Sequence, residues 1–141
     1  MPHSGLPMKS RLITVLYFLV LAGIVLLADT REYHTVFDAV RRIPGGDKLG
    51  HFLLMGMLSF LLNVSLSCRT VRISAARVLL LGSAVACAAV TLEEFSQIFV
   101  RYRTFDLVDL FFDYAGIWAF GRLALYVELR RSPAEHSKES S

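Results

Sequence analysis

The sequence predicts an all-α fold, a membrane bundle of four transmembrane helices with a short interfacial amphipathic helix after the first span. Three observations lead there. The chain has 141 residues, of which 55% are hydrophobic and only 19% charged, with a mean hydropathy of +0.53. That is too oily for an ordinary soluble domain. Long apolar runs recur along it, approaching the ~20 residues that cross a bilayer. Polar or helix-breaking stretches separate those runs.

Residues 1–11 form a polar N-terminal tail with Pro2, Gly5 and Pro7, ending in Lys9 and Arg11. Leu12 to Ala28 carries no charge and is the first span. Its apolar core exceeds the ~7–15 residues of a secretory signal, and Leu26-Leu27-Ala28 is a poor cleavage site. In the connection that follows, Tyr33, Val36, Phe37, Val40 and Ile43 recur at helical spacing among Arg31, Glu32, Asp38, Arg41 and Arg42. That pattern suits an amphipathic helix at the interface or a plain linker helix with a solvated face. Pro44-Gly45-Gly46 ends it, and Asp47 is placed to cap the next helix. The second span is 49–67. Arg69, Arg72 and Arg77 make a basic loop, and the third span, 78–100, opens rich in Ala, Gly and Ser, which suits close packing in lipid. After a turn over 101–106, the fourth span, 107–127, includes Asp109, Asp113 and Arg122 as well as Gly116 and Gly121 for tight helix contact. The transmembrane domain closes at Arg131, and 132–141 reads as a disordered tail.

Net charge is +3, with basic residues spread through the loops rather than gathered as a nucleic-acid stripe. With both termini inside, cytoplasmic pieces carry eight Lys and Arg (Lys9, Arg11, Arg69, Arg72, Arg77, Arg130, Arg131, Lys138). The outer loops carry six (Arg31, Arg41, Arg42, Lys48, Arg101, Arg103). Eight against six favours cytoplasmic termini. Cys68 and Cys87 have neither zinc spacing nor a plausible disulfide geometry and read as small packing residues.

The starts of spans two and four and the end of span three share one membrane face. Asp47, Lys48, His51, Glu94, Gln97, Arg103, Asp106, Asp109 and Asp113 therefore converge. Glu94 and Gln97 are three apart, Lys48 and His51 three apart, and Asp106, Asp109 and Asp113 fall at i, i+3 and i+7, each set on one helix face. Asp113 lies six residues into its span, about 9 Å deep. A carboxylate there faces the bundle and a partner, or stays protonated.

Taken in order, Asp47-Lys48-x-x-His51-Phe52, Glu94-x-x-Gln97, Arg103-Thr104-x-Asp106-x-x-Asp109 and Gly116 resemble the VanZ-like family of small bacterial membrane proteins, over about residues 44–121. The resemblance implies a bundle of four or five helices in the inner membrane. Its founding member is associated with low-level teicoplanin resistance, and relatives occur near envelope and exopolysaccharide genes. The matching positions are Asp47, Lys48, His51, Glu94, Gln97, Arg103, Asp106 and Asp109. The chain departs at Asp113, where the family often has Asn, and at Arg101-Tyr102, where a Pro-Gly often precedes the arginine.

Three readings of the polar set follow. Arg103, Lys48 and His51 suit a phosphate or carboxylate of a lipid-linked or envelope-glycan ligand, such as a polyprenyl-phosphate carrier or wall precursor. His51 with Asp47 or Glu94 suits acid–base work on a phosphate ester, or the carboxylates with His51 a divalent metal. There is, however, no nucleophile elbow, phosphate loop or metal signature, and no cofactor is expected. The groups also suit ion pairs that lock three helices together. His51 and Glu94 are the catalytic candidates.

Overall fold

The computed structural model describes residues 8–28, 44–74, 77–96 and 106–136. In chain order these form α1 (Met8–Ala28), α2 (Gly46–Ser65), β1 (Thr70–Ser74), β2 (Arg77–Leu80), α3 (Leu81–Ser96) and α4 (Leu107–His136). The architecture is helical apart from one hairpin. Three helices are long and apolar enough to cross a membrane, over Ser10–Leu27, Gly46–Ser65 and Leu107–Arg130. The sixteen residues of α3 rise about 24 Å, short of a ~30 Å hydrocarbon core. Residues 97–100, which the sequence reading adds to that span, lie outside the described residues, as does the expected interfacial helix at 33–43.

The helix ends are specified locally, and not always by the expected residue. α2 is preceded by Gly45 at φ 74°, a left-handed conformation that glycine adopts without cost. Asp47 is therefore in the first turn rather than at the cap, complementing the helix dipole. At the other end, Cys68 N–H donates to Asn63 O (2.8 Å) and Ser67 N–H to Val64 O (3.1 Å). This is a Schellman closure, with Ser67 at φ 51° where glycine is usual.

The chain leaves that turn into β1, which pairs antiparallel with β2 in the register Val71↔Leu79 and Arg72↔Val78. Leu81 N–H then donates to Arg69 O at 2.7 Å. Residues 78–80, expected to begin the third span, are thus strand. Thr70, Val71 and Val78 are β-branched and exposed, a composition that suits a pleated strand better than a helix. At the C-terminus, α4 continues to His136, past the expected end at 127 and into the segment read as a tail.

The helices alternate in direction, so α2 and α4 run parallel. α1 returns along α2: Tyr17 Oη donates to Leu54 O (2.9 Å), and Thr14 Oγ1 meets Ser65 Oγ at 2.6 Å. Most of the outer face of α1 is exposed Leu, Ile, Val and Phe, as a lipid-facing helix requires. The core joins Leu21, Met55, Leu58, Ala86, Val90 and Ile117. α2 and α4 approach so closely that a Cβ on Gly116 would run into the Phe52 carbonyl. The Phe52 and Phe120 rings meet edge-on at 6.0 Å beside it.

A polar clasp sits on the same axis. Ser59 Oγ donates to Ile117 O at 3.1 Å, Ser83 Oγ lies 3.1 Å from Ser59 Oγ, and Asn63 Nδ2 donates to Ser83 Oγ at 2.9 Å. Gly82 and Gly121 make room for Asn63 and Ser83. Each hydroxyl and amide here ties two helices where water is absent.

Candidate functional site at one end of the bundle

Because α2 and α4 start at the same end, their first turns face each other, and the last turn of α3 joins them. Lys48 and His51 project from α2, Asp109 and Asp113 from α4, Glu94 from α3. His51 lies between the two aspartates. Its Nδ1 is 3.1 Å and 3.3 Å from the Asp113 oxygens, and its Nε2 is 3.7 Å from Asp109 Oδ2. Lys48 Nζ reaches Asp109 Oδ1 at 3.4 Å. Asp113 is 0% exposed, so its partner on His51 Nδ1 replaces the water it has lost. Where Asp113 is ionised, Nδ1 must carry the hydrogen, which leaves Nε2 as the nitrogen facing Asp109 and the more open mouth.

Glu94, 1% exposed, accepts the Asp106 N–H at 2.8 Å through Oε1. It thereby ties the end of α3 to the start of α4. Asp106 is the N-cap of α4: its Oδ1 accepts the Val108 N–H at 2.8 Å, and its carbonyl the Leu110 N–H at 3.2 Å. Both groups were expected in the site; one oxygen of each is occupied with holding the backbone that carries Asp109 and Asp113.

Of the nine expected site residues, Lys48, His51, Asp109 and Asp113 form one linked network. Asp47 stands in the same first turn of α2, one turn before His51. Gln97 and Arg103 lie outside the described residues. Among the described residues no group of three or more His, Cys, Asp and Glu is arranged to hold a metal ion.

Two neighbouring features were not anticipated. Thr91 Oγ1 and Tyr114 Oη meet at 2.6 Å across α3 and α4. The Ser59–Asn63–Ser83 clasp lies deeper, and the i, i+4 spacing of Ser59 and Asn63 inside an uncharged run was its available signal. Exposed Leu49, Leu53, Leu107, Val108 and Phe111 flank the site, so the polar groups open beside apolar helix faces. No family model, no curated protein and no solved structure matches the chain.

Proposed function

We propose that this chain is a VanZ-like, four-span protein of the bacterial inner membrane, with cytoplasmic termini. In this reading it binds the polar end of a lipid-linked or envelope-glycan ligand at the α2–α3–α4 end. The observation that carries the reading is His51 held between Asp109 and Asp113, with Lys48 on Asp109, beside exposed apolar helix faces. Ionisable groups at membrane depth are costly, and when gathered from separate helices they usually mark function. An amphiphile would set its head against Lys48 and His51 and its chain along the Leu49, Leu53 and Phe111 faces. A polyprenyl phosphate or a wall precursor has that form, and a link to glycopeptide resistance or exopolysaccharide handling would follow from it.

Native mass spectrometry of the purified protein tests this. A retained lipid phosphate or glycolipid, lost in Lys48→Gln and His51→Ala proteins that still melt cooperatively, is the expected result. Loss of the folded protein in both variants would instead make the network purely structural.

One observation favours a second reading. Asp113 engages Nδ1 and so orients His51, leaving Nε2 to accept or give a proton, as acid–base chemistry on a phosphate ester requires. Release of inorganic phosphate from a lipid phosphate, abolished by His51→Gln with binding retained, would select it.

A further inference from the structure

At the end of the molecule away from His51, α4 carries Trp118, Arg122, Tyr126 and Arg130 in steps of four residues. The Arg122 guanidinium lies 5.8 Å from the centre of the Trp118 ring, and that of Arg130 lies 4.5 Å from the Tyr126 ring. Both rings face outward, Trp118 at 67% and Tyr126 at 51% exposed. The result is an outward ladder of alternating rings and cations.

From this ladder we infer a binding site for an anionic phospholipid headgroup. Arg130 ends the membrane-crossing stretch Leu107–Arg130, and Arg122 is two turns inside it, about 12 Å along the axis. A guanidinium has five donors and stays charged. On the outer face of a span it has no water at its own depth, so its donors need acceptors from the lipid. Neither Arg122 nor Arg130 is ion-paired with a described carboxylate; the ion pairs at hand join Lys48 and His51 to Asp109 and Asp113. Glu128, the acid of this end among the described side chains, has its Oε2 buried. Phosphate oxygens match a guanidinium fork in two-point contact, and the rings hold each fork flat and oriented before the lipid arrives.

The surroundings carry the same sign. Arg69 and Arg72 are exposed on the hairpin that follows α2, and Arg11 is exposed where α1 starts. Ser10 O accepts Ser65 Oγ at 3.3 Å, which brings Arg11 to this end as well. The opposite end carries Asp47, Glu93, Glu94, Asp106, Asp109 and Asp113 against Lys48 and His51. The molecule is therefore polarised along its axis, and the cationic end attracts anionic lipid.

The full chain, in discs of phosphatidylglycerol and phosphatidylcholine with matched acyl chains, gives the test. Lipids retained on release are counted by native mass spectrometry. Wild type is expected to keep phosphatidylglycerol in preference. The preference should fall about fivefold for each arginine removed in Arg122→Gln, Arg130→Gln, and stay unchanged in Leu92→Ala, an exposed side chain of α3 at the other end. If the double variant does not fold, Arg130→Gln alone, at the exposed end of the span, reads the same effect. Equal retention of the two lipids by wild type would overturn the assignment, as would a preference that survives Arg130→Gln or is lost in Leu92→Ala. A dimer that separates in the double variant would give the ladder to a second copy instead.

Discussion

Asp113 shows what a single side chain decides here. It is fully buried, and His51 Nδ1 is its hydrogen-bond partner. Asp113→Asn keeps an oxygen acceptor for Nδ1 and should shift melting in detergent little. Asp113→Ala leaves a buried imidazole nitrogen without its partner and should cost about 1–3 kcal/mol. Equal effects of the two changes would refute the hydrogen bond as the stabilising feature. Cys68 is a second case. Burial, and then the Glu128 carboxylate, push its thiol up from its ordinary value. The folded state therefore favours the protonated thiol, and this contribution is full below pH 9 and fades as pH rises through the shifted value. Iodoacetamide at pH 8 should modify Cys68 only as the protein unfolds; labelling of the native protein at the rate of a free thiol would contradict this. That polar faces of α2 and α4 lie at one end was readable from helical spacing; the partners were not, since His51 was read with Asp47 or Glu94 and lies between Asp109 and Asp113. Nor was the capping role of Asp106, because a residue that caps and a residue that binds ligand look alike in a linear pattern.

At the scale of elements, the ends are where sequence and structure part. The apolar runs marked α1, α2 and α4 well, since length and hydropathy alone report a span. The hairpin was missed because Val78, Leu79 and Leu80 are as oily as a helix start, and a short apolar run has no readable period. What separates it from α3 is the closing turn of α2, which aims Arg69 back toward Leu81. Ser67 sits there in a left-handed conformation, so Ser67→Gly should stabilise the protein by about 0.5–1 kcal/mol. At the start of α4, Asp106→Ala should cost about 1 kcal/mol through the lost cap. Thermal melts of both variants check the signs, and a destabilised Ser67→Gly would argue against strain at that turn.

For the whole molecule, the governing contact is α2 against α4, parallel and close at Gly116. Gly116→Ala drives a Cβ into the Phe52 carbonyl, which as backbone cannot swing aside, and should cost about 1–3 kcal/mol. Gly23 has open space at its Cβ position, so Gly23→Ala should be neutral or slightly stabilising. A Gly116→Ala protein as stable as wild type would mean that the two helices separate freely. Gly116 and Gly121 were legible as contact points, whereas α2 offered only the Ser59 and Asn63 half of the clasp; its partners Ser83 and the Ile117 carbonyl come from two other segments. The parallel pairing also sets an order of assembly. α1 and α2 can join as soon as both have left the ribosome, but Lys48 and His51 then wait in the lipid without Asp109 and Asp113. Those partners arrive only with α4, so a nascent chain halted before Leu107 would present unpaired polar groups to the insertion machinery and to membrane proteases.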